Sequence, residues 1–105
     1  MAAINDREVV EGKQFQGEDE SIAYTLDVGA VGSSPSSVAV VVKDVTAGTV
    51  VTSTVMPTGS PSVAGDVITL PALKLLTAGR LYRVEVKYTI ANNILESYFY
   101  VQGQE

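Results

Sequence analysis

The amino-acid sequence predicts an all-β sandwich of about seven antiparallel strands in a single domain of 105 residues. Valine is the most frequent residue, with 17 copies, and nine threonines and nine serines accompany it. Side chains branched at Cβ favour pleated strands. Apolar and polar residues alternate with a period of two, and no window has the period of an amphipathic helix. Glycine, proline, asparagine and serine interrupt the alternation about every ten residues, as turns do in sandwiches.

The N-terminal segment, residues 1–20, carries most of the negative charge. It holds six acidic and two basic residues, a net charge of −4, whereas residues 21–105 hold six and five, a net charge of −1. We expect residues 21–105 to form the sandwich. Two alternatives remain for residues 1–20. They form an acidic arm that adds a strand to the edge of a neighbouring subunit, or they form the first strand of the sandwich with a frayed start.

Two alternating stretches predict the first long strands of the sandwich. Residues 21–28 form one strand and residues 37–43 the next, and a loop at 29–36 rich in glycine and serine joins them. The side chains expected to face inward are Ile22, Tyr24, Leu26 and Val28 in the first strand and Val38, Val40 and Val42 in the second.

The middle of the chain predicts a hairpin, a long loop and a helical turn. A turn around Ala47-Gly48, where glycine accepts a positive φ, leads into a returning strand at 50–55. A loop at 56–66 contains two prolines and two glycines and precedes a short strand at 67–70. Residues 71–78 are expected to form one helical turn, because proline suits the first helical position and three leucines there need burial.

The last 25 residues predict a β-hairpin. Apolar and polar residues alternate strictly from Tyr82 to Ile90, and Asn92-Asn93 suits a two-residue type I′ turn. This turn sorts both strands into one apolar and one polar face, which favours the register that it sets. The predicted cross-strand pairs are Tyr88 with Ser97, Val86 with Phe99, Lys87 with Tyr98, and Glu85 with Tyr100.

The segment Leu76-Thr77-Ala78-Gly79-Arg80-Leu81-Tyr82 resembles the tyrosine corner of immunoglobulin-like and fibronectin type III domains. Leu76 stands six residues, and Gly79 three residues, before a tyrosine that opens an alternating strand. The resemblance implies an immunoglobulin-like sandwich in which the Tyr82 hydroxyl bonds upstream backbone and its ring packs in the core. Ala78 stands where fibronectin modules usually carry proline, so the resemblance is to immunoglobulin-like domains in general.

Over residues 20–102 the chain is similar to the small immunoglobulin-like proteins of tailed-phage and prophage structural gene clusters. The valine-rich run at 38–42, the Gly48 hairpin, the segment 65–69 and the tyrosine corner carry this similarity. It implies a non-enzymatic virion protein, assembled in the host cytoplasm, that decorates a capsid or joins neck, tail or fibre parts. The implied partners are other virion subunits in a multicopy assembly.

Tyr98 and Tyr100 are expected to point outward from the last strand, beside Lys87 and Glu85. Tyrosine combines apolar area with a polar tip, so these four residues form a candidate docking surface. The alternative is that the tyrosine rings pack across the strands over the lysine and glutamate stems.

A run of three acids, Glu18-Asp19-Glu20, stands just before a predicted strand. It is a candidate for binding a cation or a basic patch on a partner. The alternative is an ordinary solvated loop.

The composition excludes several kinds of site. Without histidine or cysteine the chain has no Ser-His-Asp triad, Cys-His pair or common zinc site. A net charge of −5 argues against a nucleic-acid surface. The sequence shows no signal peptide and no apolar run long enough to cross a bilayer. We therefore expect no enzymatic activity, no cofactor or metal, and no nucleic-acid or membrane partner.

The alternative function is an adhesive or carbohydrate-binding module. Its ligand would meet the loops at 29–37 and 56–66, which are rich in glycine, serine and proline, as binding loops often are. Flat sugar rings stack well on tryptophan, and the chain has none.

Overall fold

The computed structural model describes residues 13–29, 32 and 34–105. Within these ranges the chain forms eight strands and one four-residue helix. The elements in chain order are β1 Gln14–Gly17, β2 Thr25–Asp27, β3 Ser36–Asp44, β4 Thr49–Val50, α1 Thr52–Val55, β5 Ser62–Ala64, β6 Val67–Thr69, β7 Leu81–Ile90 and β8 Asn93–Gln104.

The strands form two sheets, which confirms the predicted all-β sandwich. One sheet has five strands in the order β1-β8-β7-β3-β4, and the other has three in the order β2-β6-β5. The orders β8-β7-β3-β4 and β2-β6-β5 correspond to the G-F-C-C′ and B-E-D orders of immunoglobulin-like sandwiches. The sandwich is not wholly antiparallel, because β1 runs parallel to β8. Residues 1–12, which contain most of the predicted arm, lie outside the described residues, and the arm stays a prediction.

The core lies between the two sheets and takes side chains from both. Val84, Val86 and Tyr88 of β7 are fully buried, and Ile68 of β6 meets them from the smaller sheet with no exposed surface. The faces predicted for the first strands are confirmed. Leu26, Val28 and Val42 are buried, Ile22, Tyr24, Val38 and Val40 are partly buried, and Ala23, Thr25 and Asp27 are exposed.

The predicted register of the last hairpin is wrong by two residues. Tyr88 stands opposite Leu95 rather than Ser97, and the two-residue loop is Ala91-Asn92. Ala91 has φ 54°, whereas Asn92 is not in the left-handed region, so the turn is not of type I′. Moving a two-residue loop by one position shifts every cross-strand partner by two. Both registers therefore keep the same side chains inward, and alternation cannot distinguish them.

The predicted strand at 50–55 and the predicted helical turn at 71–78 are also wrong. After β4 the chain turns into α1, where the Thr52 hydroxyl accepts a hydrogen bond from Val42 N–H (2.9 Å) and Val55 is 2% exposed. Leu73 instead exchanges two backbone hydrogen bonds with Ile22 (2.8 and 3.0 Å), which hold the chain extended. Ser62–Ala64, placed in a loop by the sequence, forms β5.

Candidate functional site

The candidate docking surface is the outer face of the five-stranded sheet. Tyr98 and Tyr100 stand two residues apart on β8, so both rings lie on this side of the sheet. Their centroids are 5.7 Å apart and the rings meet edge to face at 82°. The Arg83 guanidinium lies over the Tyr98 ring, 4.1 Å from its centroid, where the negative face of the ring attracts a cation. We call Arg83, Glu85, Tyr98 and Tyr100 the tyrosine cluster.

The charged neighbours of the tyrosines differ from the predicted ones. Glu85 stands opposite Tyr98 and Arg83 opposite Tyr100, whereas Lys87 faces Glu96. The sequence interpretation missed Arg83, although Arg83 shares the outward alternation of Glu85 and Lys87. The predicted alternative placed lysine and glutamate stems against the rings, whereas the structure places the Arg83 guanidinium over Tyr98.

Glu85 joins the tyrosine cluster to β3. Its Oε2 atom is 3.0 Å from Arg83 Nε and 3.7 Å from Lys43 Nζ. The Arg83 contact is an ion pair without the alignment of a hydrogen bond, and Nε is buried without a hydrogen-bond partner among the described residues. The charge of Glu85 and the contact with the Tyr98 ring place the guanidinium over that ring within the chain itself.

Three exposed apolar side chains lie on the same face of the sheet as the tyrosine cluster. Phe15 on β1 is 55% exposed, and Val50 on β4 is 63% exposed at the opposite edge. Val41 on β3, which stands opposite Glu85, is 38% exposed. Val41 also borders a shallow depression of about 170 Å³ together with Lys87 and Glu96. Tyrosine and arginine are the residue types of this face that are enriched in protein interfaces.

The predicted corner residues occupy a junction between the sheets. Tyr82 is 2% exposed, and its hydroxyl accepts a hydrogen bond from Thr77 N–H (2.8 Å), so the upstream backbone contact is present. Leu76 is buried in the core, and Gly79 has φ 86° and donates to Gly103 O (3.0 Å). This arrangement ties the chain before β7 to the end of β8 and has a structural role.

An ion pair that the sequence interpretation missed fixes the same end of the sandwich. Arg80 Nη1 donates to Asp44 Oδ2 (2.7 Å), and Ala47 N–H donates to Asp44 Oδ1 (3.0 Å). Burial alone would raise the pKa of the Asp44 carboxyl. The hydrogen bonds from Ala47 and Arg80 and the charge of Arg80 outweigh burial, so the pKa lies below its usual value.

The acidic run Glu18-Asp19-Glu20 forms an exposed turn after β1. The Glu20 carboxylate accepts a hydrogen bond from Gly17 N–H (2.6 Å), and Glu18 N–H donates to Gln104 O (2.6 Å). No group of acidic side chains that could hold a metal ion occurs among residues 13–29, 32 and 34–105. The buried Gln16 amide also donates to Glu20 O (3.0 Å), and the binding of a cation or a basic partner by this run stays a prediction.

Gln16 is the buried polar residue that the sequence interpretation missed. It is fully buried, its Nε2 atom donates to Leu73 O (2.6 Å), and its Oε1 atom accepts from the Tyr24 hydroxyl (2.9 Å). Burial, with a smaller effect of the Glu20 charge, raises the pKa of Tyr24. The amide therefore links β1 to the chain of the smaller sheet.

The loops proposed for a carbohydrate ligand meet only in part. Asp66 Oδ1 accepts from Ser34 N–H (3.3 Å), and Asp66 O accepts from Val28 N–H (2.9 Å), which brings the β5–β6 turn to the loop before β3. Residues 30, 31 and 33 of that loop lie outside the described residues.

Comparison with known proteins found no matching family model, no similar curated protein and no similar solved structure. Within the part of the chain that the structure describes, no helix is long and apolar enough to cross a membrane.

Proposed function

We propose that this protein is a non-enzymatic structural component of a phage or phage-like particle, and that it acts through contacts with other subunits. The tyrosine cluster and its apolar surroundings carry this proposal. They provide a preformed face on which tyrosine and arginine, two residues enriched in interface hot spots, are held in place before binding.

The size of the face suits a modest subunit contact. Five strands about 4.8 Å apart and about ten residues long cover at most about 800 Å², close to what one partner contributes to a standard interface. The two outer strands are short, so the real contact is smaller. A virion compensates for a modest contact by presenting many copies, because repeated weak contacts add to strong overall binding.

The test is self-association and particle binding of the purified chain, measured by sedimentation velocity and by co-sedimentation with purified phage particles. Tyr100→Ala is expected to weaken association about tenfold or more. Val41→Ala, on the same face, is expected to weaken it less. Val63→Ala is the matched control for Val41→Ala. The two valines are similarly exposed, at 41% and 38%, and Val63 lies on the smaller sheet. The proposal is contradicted if the chain stays monomeric and does not bind particles. It is also contradicted if Val63→Ala weakens association as much as Tyr100→Ala does.

The alternative proposal is the adhesive or carbohydrate-binding module, supported by the contact of Asp66 with the loop before β3. A glycan array separates the two. Binding that a loop variant such as Asp66→Ala removes, and that Tyr100→Ala leaves intact, favours the carbohydrate function over the structural one.

A further inference from the structure

A row of basic side chains crosses the outer face of the five-stranded sheet. Lys43 on β3 pairs with Arg83 on β7, and Arg83 pairs with Tyr100 on β8. The parallel register of β1 with β8 sets Gln14 opposite Val101, so Lys13, one residue earlier, lies level with Tyr100. We call Lys13, Tyr100, Arg83 and Lys43 the basic row. Neighbouring strands are about 4.8 Å apart, so the row is about 14 Å long.

The outer face of this sheet is basic although the protein is acidic. Its charged side chains comprise four bases and two acids, whereas the rest of the chain holds three bases and ten acids. The bases of the face are Lys13, Lys43, Arg83 and Lys87, and its acids are Glu85 and Glu96. A face with a surplus of positive charge attracts carboxylates, even in a protein whose net charge is −5.

Ion pairs within the chain leave a surplus of positive charge along the basic row. Glu85 Oε2 lies 3.0 Å from Arg83 Nε and 3.7 Å from Lys43 Nζ, so one carboxylate is shared between two bases. At the other end of the row the Lys13 ammonium lies 5.3 Å from the centroid of the Phe15 ring, a contact that adds no formal negative charge. Positive charge therefore remains on both sides of Tyr100.

The order of the side chains along the basic row is that of an interface hot spot. Tyr100 and Arg83 occupy the middle, and both residue types are enriched at the centres of interfaces. Lys13 and Lys43 stand at the two ends, where both are exposed and where charge pairs give specificity and faster association more than affinity. A second copy that met this face with its own outer face would bring like charges together, which is unfavourable.

We propose that the basic row binds an acidic segment of a partner subunit. Carboxylates of that segment pair with Lys13 and Lys43, and the chain between them packs on Tyr100 and Arg83. An extended strand with two acids four residues apart spans about 14 Å and matches the length of the row. This inference rests on the proposed function, because it names the chemistry of the partner that the outer face takes.

The experiment titrates the full chain with a ten-residue peptide that alternates glutamate and threonine, and follows binding by NMR chemical shifts. A peptide that alternates lysine and threonine and a single-stranded oligothymidine are the comparison ligands. The row variants are Lys43→Glu and Lys13→Glu. The second places no new charge beside Glu85, so it separates loss of the row from local repulsion. Lys74→Glu is the matched control, because it changes the net charge equally and lies outside the five-stranded sheet.

We expect the acidic peptide to shift the signals of the basic row. Each row variant should raise its Kd at least about fivefold, and Lys74→Glu should change it less than about twofold. Raising the salt concentration from about 20 mM to about 200 mM should weaken binding, because salt screens exposed charges. The proposal is overturned if Lys74→Glu acts as strongly as the row variants, or if the basic peptide or the oligothymidine binds the row as tightly as the acidic peptide.

Co-sedimentation with phage particles separates this inference from the proposed function. If Tyr100→Ala weakens particle binding and both row variants leave it intact, the inference is wrong and the proposed function stands. If the unmodified chain binds no particle but holds the acidic peptide at the basic row, the proposed function is wrong and the acidic ligand of the row stands.

Discussion

The two sheets of this sandwich differ in how their strands are held. In the larger sheet β7 and β8 run for 10 and 12 residues, and ten residue pairs set their register. In the smaller sheet each strand has three residues, and every residue of β5 is exposed. The long ladder is stabilised by its own hydrogen bonds and by alternating burial. The stability of the smaller sheet depends on a few side chains that enter the shared core. Single substitutions in this sheet can therefore measure the contribution of core packing apart from that of strand pairing.

The largest effect is expected where the smaller sheet enters the core. Ile68 is fully buried, whereas its cross-strand partner Val63 is 41% exposed. Ile68→Ala should lower the free energy of unfolding by about 3–4 kcal/mol, because it removes buried methyl groups and leaves a cavity. Val63→Ala should change it by less than about 0.5 kcal/mol. Urea denaturation measures both. Similar losses in the two variants would show that the sheet is held by strand pairing and not by its core contact.

The next largest effect on stability is expected where two backbone segments lie close together in the larger sheet. Gly103 on β8 lies against the Thr77 carbonyl, and a Cβ atom there would overlap that oxygen. Gly103→Ala should cost about 3 kcal/mol through displacement of the backbone. Gly65→Ala, in the turn of the smaller sheet, meets no neighbouring atom but has φ 61°, and should cost about 1–2 kcal/mol. The same denaturation measurement ranks them, and the reverse order would contradict the close contact at Gly103.

The corner hydroxyl has a smaller effect. Tyr82→Phe leaves Thr77 N–H without its partner and should lower the free energy of unfolding by about 1–2 kcal/mol. Tyr100→Phe, on the outer face of the same sheet, is the control and should cost less than about 0.5 kcal/mol. Equal losses of unfolding free energy in the two variants would contradict the structural role assigned to the Tyr82 hydroxyl.

The smallest effect is a dependence on pH at the end of the larger sheet. The folded protein lowers the pKa of Asp44 below 3.8, so its carboxylate stabilises the fold above about pH 4, and that contribution is lost as the pH falls through the folded pKa. Denaturation midpoints measured from pH 6 down to about pH 3 should fall less steeply in Asp44→Asn than in the unmodified chain. Asp66→Asn controls for the change in net charge. An unchanged slope in Asp44→Asn would show that Asp44 does not carry this dependence.

The sequence predicted the tyrosine cluster only in part. That Tyr98 and Tyr100 share the outward face followed from alternation along one strand. Which charges stand beside them depended on the hairpin register, and two registers two residues apart give the same apolar and polar faces. Arg83 therefore replaced Lys87 as the neighbour of the rings, although all the residues involved were visible in the sequence.

Features that depend on neighbours in the chain were predictable from the amino-acid order. These include the all-β class and the inward faces of the first strands. The contact of the Tyr82 hydroxyl with upstream backbone was implied by the resemblance to a tyrosine corner. Features that join distant segments were not predictable. The parallel pairing of β1 with β8, the burial of Gln16 against Leu73 O, and the hydrogen bonds that hold Leu73 extended rather than helical all depend on which surfaces meet when the sheets close. Alternation states which side of a strand is apolar, and it contains no information about which strand lies beside it.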